Sequence, residues 1–417
     1  MRKRLTKFWK ALGPGLTTGA AGNDPSAIAT YSLAGGRFAY GLSWMVVFLT
    51  PFMIAIQNMC ARIGALSGCG LAGNLKRHYP SWVLGITVVT VVFTSVLNVA
   101  ANLYGMAGAL NLVIPLSVPV LSVVTAGLVI VLVIKLRYRT IAAIFKWFAL
   151  SLFVYLVAAV TVGQDWPELL RRALVPGIPW NRDGLLMMFA VLGTTLSPYL
   201  FFWQASEEAE VTRQERPGLR ICKFREVPRG VLAQIDTDTK LGMIFSNTIA
   251  FFIIALAATT LYGAGAHGIE SLRDAASALE PIAGRYAFLL FSVGLVGSGL
   301  LAIPVLAGGG AYVLSESFGW GASIDHPFSK ARNFYVVMVL AILSSVLVPL
   351  LGISPIQALF WVAIINAAVA PLLLMLIIQM ANNPKIVGEH TSAPSVHWLG
   401  VGAMFIMLTG SFVVLFS

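Results

Sequence analysis

The sequence predicts an all-α polytopic membrane protein, and three observations support this. Hydrophobic residues make up 58% of the 417 positions and charged residues only 11%, against roughly a quarter charged in typical soluble domains. The mean hydropathy is +0.84. Long apolar stretches recur along the whole chain, and at about 20 residues per span the length leaves room for ten to twelve helices.

Eleven apolar stretches are long enough to cross a bilayer as helices, and turn-forming or charged residues separate most of them. They comprise residues 12–34, 41–66, 81–112, 117–136, 141–163, 184–210, 241–262, 286–314, 333–351, 356–380 and 397–416. No long hydrophilic insertion divides them. We therefore expect one membrane domain over residues 1–417, with halves at about 12–163 and 184–380 and an extra helix at 397–416.

The distribution of basic residues predicts the orientation. Most of the 28 Lys and Arg residues fall in the N-terminal segment and in alternate loops, as expected for cytoplasmic segments. We therefore place the protein in the cell (inner) membrane with its N-terminus in the cytoplasm. Because eleven is an odd number of helices, the C-terminus is then expected on the outer side of that membrane. The net charge of +11 has the same explanation, so the lipid bilayer is an expected partner and nucleic acid is not. We expect a monomer.

Motifs of enzymatic and redox sites are missing from the sequence. It has no nucleotide-binding loop, no His/Cys/Asp cluster with metal-ligand spacing and no nucleophile beside a base, so we expect neither an enzyme nor a cofactor. The three cysteines, Cys60, Cys69 and Cys222, lie in or near segments assigned to the cytoplasmic side. Disulfides are rare in that compartment, so none is expected.

Two spans combine an interior proline with a polar neighbour that could bind a ligand: Asp24-Pro25 in the first and Ser197-Pro198 in the sixth. Proline interrupts helical hydrogen bonding and frees carbonyls that need other partners in lipid. Asp24 is also expected to be the only carboxylate deep in the membrane, where a charge costs about 3 kcal/mol or more. An anion beside free carbonyls is suited to holding a cation.

The two breaks lie five helices apart, so the second half is expected to be inverted relative to the first. Interrupted helices at matching positions of two such halves indicate a transporter with a 5+5 inverted repeat, unwound helices 1 and 6, and a site near the midplane. The alternative is that both prolines kink ordinary packed helices. Two discontinuous helices at repeat-related positions favour alternating access over a channel.

At these residues the chain resembles the NRAMP family of divalent metal transporters. Gly13-Pro-Gly-Leu16 and Asp24-Pro25 are similar to that family's Gly-Pro-Gly and Asp-Pro-Gly-Asn motifs, and Gly193-Thr-Thr-Leu-Ser-Pro-Tyr199 to its Met-Pro-His region. The similarity covers nearly the whole chain. It implies a LeuT-like fold that carries divalent cations between unwound helices 1 and 6.

The resemblance also implies which positions hold the metal. Asp24 matches the family's metal-binding Asp, whereas Ser26 and Ala27 replace its Gly and Asn and Ser197 replaces its Met; the carbonyl ligands map to Thr194 and Ala21. A thioether favours transition metals, and oxygen ligands suit Mg²⁺, Ca²⁺ and Mn²⁺. Loss of the Asn leaves room for the water that Mg²⁺ retains. The site therefore resembles the magnesium-transporting branch of the family, with Mn²⁺ second; alternatively, the small residues only preserve packing.

The family's proton-transfer positions map to residues without suitable acids or bases. Those in helix 3 map to Val99 and Asn102 and those in helix 6 to Tyr199 and Gln204, none of which titrates near neutrality. The five histidines fall in loops or at a helix edge. We therefore expect uptake of Mg²⁺ without proton coupling, driven partly by the membrane potential. A proton-coupled Mn²⁺/Fe²⁺ transporter and a sodium-coupled amine or amino-acid transporter of the same fold remain the alternatives.

Further polar residues in the apolar spans are candidates for holding metal-bound water or lining the pathway: Asn23, Asn102, Tyr199, Gln204 and Asn366. Structural hydrogen bonding between helices is the alternative for the amides. Glu207, Glu208 and Glu210 close the sixth span near the predicted cytoplasmic side. We expect them to form a solvated face, with an acidic exit vestibule as the alternative.

Overall fold

A computed structural model describes residues 13–135, 152–215, 222, 224, 226–263, 269–320, 324 and 326–416. Eighteen α-helices occur in these ranges: α1 Pro14–Ala21, α2 Pro25–Phe38, α3 Ser43–Ser67, α4 Leu71–His78, α5 Ser81–Asn111, α6 Val118–Lys135, α7 Phe153–Thr161, α8 Trp166–Leu174, α9 Arg182–Thr195, α10 Pro198–Glu215, α11 Arg229–Ala257, α12 Leu272–Ser277, α13 Glu280–Ala283, α14 Ala287–Phe318, α15 Arg332–Leu343, α16 Pro355–Ala381, α17 Pro384–Val387 and α18 Pro394–Phe416. A π-helical turn, Ala258–Tyr262, extends α11, and the 3₁₀ segment Ser344–Leu351 extends α15.

Nine stretches of the described chain are long and apolar enough to cross a membrane. One of them, Pro25–Ser67, contains both α2 and α3. Much of the predicted span 141–163 lies outside the described residues, and α7 is the helix seen there. The prediction of an all-helical polytopic membrane protein is confirmed, with nine such stretches described where eleven spans were expected.

Most of the predicted spans agree with the helices to within a few residues, but the seventh begins much earlier. Helix α11 starts at Arg229 rather than at residue 241. The added turns contain Asp236 and Asp238, and both have partners in other helices. Arg62 of α3 makes a salt bridge to Asp236 at 2.8 Å, and Asp238 accepts backbone hydrogen bonds from the start of α1. Paired carboxylates let a helix continue where hydropathy predicts a loop.

The outer surface of the bundle is strongly apolar. Large hydrophobic side chains project outward from several helices, among them Val89 of α5, which is 70% exposed, and Leu350, which is 81% exposed. Trp82 and Trp398, near the starts of α5 and α18, are each 68% exposed. Lipid-facing aliphatic residues and tryptophans at helix ends are typical of a membrane-spanning bundle.

Helix α1 is held against α11 by backbone contact between glycines. A Cβ atom at Gly19 would lie 2.1 Å from the Gly242 carbonyl oxygen, and one at Gly15 would lie 2.6 Å from the Thr239 nitrogen. Asp238 accepts hydrogen bonds from the Gly13 and Gly15 amides at 3.1 and 2.7 Å. It therefore satisfies amides that a helix start leaves without partners, and the small residues allow close helix packing.

A glycine run in α14 packs this helix against both α10 and α5. Added Cβ atoms would lie 2.6 Å from the Trp203 ring at Gly308, 3.1 Å from the Tyr199 carbonyl oxygen at Gly309 and 3.1 Å from Ser95 at Gly310. The second interrupted helix therefore rests closely on α14.

The expectation that no disulfide forms is wrong. Cys69, in the link between α3 and α4, is bonded to Cys222, in the segment between α10 and α11, with Cα atoms 5.0 Å apart. The two residues are 153 positions apart in sequence, and both sulfurs lie beside Gly73 of α4. The prediction considered compartment and spacing, neither of which reveals this proximity. Cys60 is buried and free.

Candidate functional site

The first predicted break lies between α1 and α2. Helix α1 ends at Ala21 and α2 begins at Pro25. Proline is favoured at a first helical position because its missing N–H is not needed there. Asp24 is extended, with φ −69° and ψ 172°, and its side chain accepts the Ala27 amide as the N-cap of α2. Asp24 and Pro25 thus end one helix and begin the next.

The second predicted break separates α9 from α10. Helix α9 ends at Thr195, α10 begins at Pro198, and Leu196 has non-helical angles of φ −109° and ψ 62°. The Ser197 hydroxyl lies within hydrogen-bonding distance of the Gly193 and Thr194 carbonyl oxygens, at 3.0 and 2.8 Å. Ser197 therefore donates its proton back into the last turn of α9 and keeps its oxygen at the break.

The two breaks lie side by side. The Tyr199 hydroxyl, in the first turn of α10, donates to Asp24 Oδ2 at 3.1 Å. About two turns further along α2, the Tyr31 hydroxyl lies 3.0 Å from Thr195 Oγ1, and Thr194 Oγ1 lies 3.5 Å from Thr30 Oγ1. The end of α9 and the start of α10 therefore both contact α2.

The Asp24 carboxylate is 1% exposed and receives four donors. Oδ1 accepts from the Ser26 hydroxyl at 2.7 Å and the Ala27 amide at 2.8 Å. Oδ2 accepts from Asn102 Nδ2 and from the Tyr199 hydroxyl, each at 3.1 Å. Hydrogen bonds to an ionised group are strong, so these four donors offset part of the cost of burying a negative charge at the junction of the two breaks.

A chain of three amides extends from Asp24 into helices α5 and α16. Asn102 also accepts from the Ser26 amide at 2.9 Å and donates to the Asn98 carbonyl at 2.8 Å. Asn98 and Asn366 are joined by two reciprocal side-chain bonds of 2.8 and 3.0 Å. These asparagines are all buried. The Asn102 side chain, the backbone and side chain of Asn98, and the Asn366 side chain therefore link the carboxylate to α16.

The structure brings together some of the predicted site residues and pairs others elsewhere. Asn102 and Tyr199 contact Asp24 directly, and Asn366 reaches it through Asn98. Asn23 instead donates to Ser246 at 3.2 Å. Gln204 lies 3.4 Å from Glu208, one turn along its own helix.

Two of the predicted metal positions have only methyl side chains. Ala27 is fully buried and contributes its amide to Asp24. Ala21 is the last residue of α1 and Thr194 lies in the last turn of α9, where helical carbonyls lack intrahelical partners. Their backbone oxygens are therefore suited to accept a ligand, although the Thr194 carbonyl already accepts from Ser197.

Asp24 is not the only buried carboxylate in the predicted spans. Glu208 is 3% and Glu210 6% exposed, so the prediction of a solvated face at the end of the sixth span is wrong for both. Glu210 accepts a hydrogen bond from the Tyr312 hydroxyl of α14. Asp238 is buried as well, and it accepts the Gly15 amide at the start of α1. Hydropathy could not reveal these partners, because they belong to helices distant in sequence.

The buried amide of Gln57 was not predicted. Gln57 of α3 is fully buried, and neither its side-chain oxygen nor its nitrogen has a partner among the described residues. Such a group is costly to bury unsatisfied. Its position within an apolar span is the sequence signal that could have identified it.

The available ligands indicate the kind of cation the site could take. Within the described ranges, no group of three or more His, Cys, Asp or Glu side chains is arranged to hold a metal ion. One carboxylate with hydroxyl and carbonyl oxygens remains, which is a donor set for a hard cation that keeps some of its water.

Two interrupted helices that meet at a buried carboxylate, within an apolar helical bundle, define a membrane transporter. The matching family model is the Nramp family, "Natural resistance-associated macrophage protein-like", over residues 15–417. The chain belongs to this family of transporters, which confirms the expectation that it is not an enzyme.

Among its relatives are proteins called "Divalent metal cation transporter MntH". The protein from Caldanaerobacter subterraneus subsp. tengcongensis is 24% identical over 97% of this chain and 92% of its own length. The one from Klebsiella pneumoniae subsp. pneumoniae is 24% identical over 97% and 93%.

Solved structures share the fold. A manganese transporter from Eremococcus coleocola superposes with a TM-score of 0.76 at 17% identity, covering 97% of this chain and 87% of the other. The inward-facing conformation of Mhp1, a LeuT-fold protein, superposes with a TM-score of 0.51 at 13% identity, covering 97% and 91%. The expected likeness to the NRAMP and LeuT-type architecture is confirmed at the level of the fold.

Proposed function

We propose that this chain imports divalent metal cations across the cell (inner) membrane by alternating access, with Mg²⁺ as the principal substrate. In this proposal eleven helices form a 5+5 inverted repeat plus one further helix. The cation binds between α1, α2, α9 and α10. The N-terminus lies in the cytoplasm, the C-terminus lies outside, and the transporter acts as a monomer.

The observation that carries the proposal is the position of Asp24 at the first helix break, with its Oδ2 atom 3.1 Å from the hydroxyl of Tyr199 at the second. At this position the Asp24 carboxylate, at the start of α2, can bind a cation. The ends of α1 and α9 can contribute backbone oxygens to the same cation. We propose that Asp24, Ser197 and the carbonyls of Ala21 and Thr194 supply the ligands. The Ala27 methyl leaves volume for water retained by the ion.

The preference for Mg²⁺ follows from the chemistry of these ligands. Oxygen donors suit hard cations, and Ser197 supplies no soft sulfur atom. Mn²⁺ accepts the same donors and is the second candidate. It is favoured by the likeness to a solved protein described as a manganese transporter.

We also propose that transport is not coupled to protons. The groups that extend from Asp24 into α5 and α16 are amides, which do not titrate, and Val99 is apolar. Relays inside membranes are built from Asp, Glu and His chains. An inside-negative potential would supply about 4.6 kcal/mol per 100 mV for a divalent cation.

The test is uptake into proteoliposomes of Mg²⁺, Mn²⁺ and Ca²⁺ by the wild type and by Asp24→Asn. Asparagine is as good an N-cap as aspartate, so this variant removes charge while keeping the start of α2. Glu168→Gln is the matched control, because Glu168 is partly exposed and pairs with Arg171 within α8. We expect Asp24→Asn to abolish uptake and Glu168→Gln to retain it; full uptake by Asp24→Asn would refute the assignment.

Proton coupling is tested in the same vesicles with a pH-sensitive dye. We expect Mg²⁺ influx without internal acidification at a clamped membrane potential. Acidification that scales with metal uptake would instead favour a proton-coupled Mn²⁺/Fe²⁺ transporter. Thermal stabilisation by amines and sodium, but not by Mg²⁺ or Mn²⁺, would favour the amine or amino-acid alternative.

A further inference from the structure

The two oxygens of Asp24 are engaged differently. Oδ1 holds the start of α2 through the Ser26 hydroxyl and the Ala27 amide, at 2.7 and 2.8 Å. Oδ2 receives Asn102 and Tyr199 at the longer distance of 3.1 Å each. A carboxylate has about four lone-pair directions, and here each has a donor. A cation that binds Asp24 must therefore displace one of these four hydrogen bonds.

Three of the four donors are fixed by other contacts. Displacing Ser26 or Ala27 would undo the cap of α2. Asn102 is held by the Asn98 carbonyl at 2.8 Å and by the Ser26 amide at 2.9 Å. Moving its side chain would break both contacts in addition to the bond to Asp24, and the loss of bonds among buried polar groups is costly.

The Tyr199 hydroxyl is the remaining donor and can leave without moving its ring. A phenolic hydroxyl rotates about one bond and can donate or accept. Ser197 lies two residues before Tyr199 at the same helix break, and the Ser197 proton is directed toward the carbonyls of Gly193 and Thr194. The Ser197 oxygen is therefore an alternative acceptor for the Tyr199 proton.

We infer that the Tyr199 hydroxyl competes with the transported cation for Asp24 Oδ2 and thereby sets the affinity of the site. In the absence of a cation it donates to Oδ2. When a cation binds, the hydroxyl turns toward Ser197 and exposes a lone pair of Oδ2. This inference rests on the proposed function, since it requires Asp24 to bind the cation.

Burial gives this competition its strength. Asp24 is 1% and Tyr199 2% exposed, so bulk water does not replace the hydrogen bond once it is lost. Each cation therefore binds at the expense of a charge-assisted bond. The same bond re-forms when the cation leaves, which favours release. Tyr199 thus lowers affinity and assists turnover.

The experiment measures Kd for Mn²⁺ and Mg²⁺ by calorimetry on the purified full chain in detergent. Tyr199→Phe removes the competing proton and keeps the ring, so we expect Kd to fall by about tenfold. Tyr155→Phe is the matched control, because Tyr155 is 3% exposed and lies on α7, outside the helices that form the site. Its Kd should match the wild type.

Transport kinetics and a second variant separate competition from a structural effect. Tyr199→Phe should lower both KM and kcat for uptake, because a tighter site releases more slowly. A lowered kcat with unchanged KM would overturn the inference. Tyr199→Leu also lacks the proton, so it provides the same comparison of Kd if the Phe variant does not fold.

A double-mutant cycle tests the alternative acceptor. Ser197→Ala should weaken Mn²⁺ binding more in the wild type than in Tyr199→Phe, because the Phe variant has no proton to relocate. Equal effects in both backgrounds would overturn the role of Ser197 as that acceptor.

The outcomes distinguish this inference from the proposed function. If the wild type binds no divalent cation, or Asp24→Asn binds Mn²⁺ as tightly as the wild type, the proposed function fails and the inference fails with it. If Asp24 is required but Tyr199→Phe binds with unchanged or weaker affinity, only the inference is overturned. Weaker binding would identify the Tyr199 hydroxyl as a ligand rather than a competitor.

Discussion

The contact between α1 and α11 leaves no room for a methyl group at Gly19. In Gly19→Ala the new Cβ would lie 2.1 Å from the Gly242 carbonyl oxygen. Since close C···O contacts lie at about 3.3 Å or more, the two backbones would have to separate by about 1.2 Å. Helix α1 leads directly to Asp24, so we expect this shift to lower both stability and metal uptake.

The magnitude follows from the cost of overpacking, about 1–3 kcal/mol. Alanine also gains up to about 1 kcal/mol over glycine in a helix interior, which partly masks this cost. Gly85→Ala is the control that measures the gain alone, because Gly85 lies inside α5 with nothing within 4 Å of an added Cβ. The difference in free energy of unfolding between the two variants should therefore be about 1–3 kcal/mol.

The assay compares thermal unfolding of both variants in detergent, followed by proteoliposome uptake. We expect Gly19→Ala to unfold at a lower temperature than Gly85→Ala and to transport less. Equal unfolding temperatures, with uptake at the wild-type level in both variants, would refute the close packing of α1 on α11 as a requirement for transport.

Two further predictions test contacts distant in sequence. Asn366→Ala should destabilise the protein by about 1–3 kcal/mol, because it leaves the buried Asn98 amide without its partner; unfolding of the single and double alanine variants measures the coupling, and additive effects would contradict the pairing. Alkylation of the denatured, unreduced chain should label Cys60 alone, whereas prior reduction should also expose Cys69 and Cys222; labelling of three cysteines without reduction would contradict the disulfide.

The two helix breaks could be predicted from sequence because their causes are local. Pro25 and Pro198 disfavour continuation of the helix, and each follows a polar residue, whereas Pro51, Pro304 and Pro371 lie inside continuous helices. The placement of Asn102 and Tyr199 near Asp24 was also predicted, through the family resemblance. Their direct hydrogen bonds to the carboxylate, rather than to metal-bound water, needed the fold.

The other contacts of the fold and the site depend on packing between segments that are distant in sequence. Asp238 receives the start of α1 across 223 residues or more, and Asn98 pairs with Asn366 across 268. A hydropathy profile registers each of these polar residues as a cost and gives no indication of its partner. The same limitation explains why α11 extends beyond its predicted start and why Glu210 is buried.

The N-cap role of Asp24 also restricts how this transporter can change its cargo during evolution. Replacing Asp24 with an apolar residue would remove the anion and also the side chain that caps α2. Such a change would lower the stability of the fold whatever its effect on cation specificity. Ser26, Ala27 and Ser197 surround the same position with small side chains. Variation in cargo is therefore expected to accumulate at these neighbours, around a capping residue that folding itself retains.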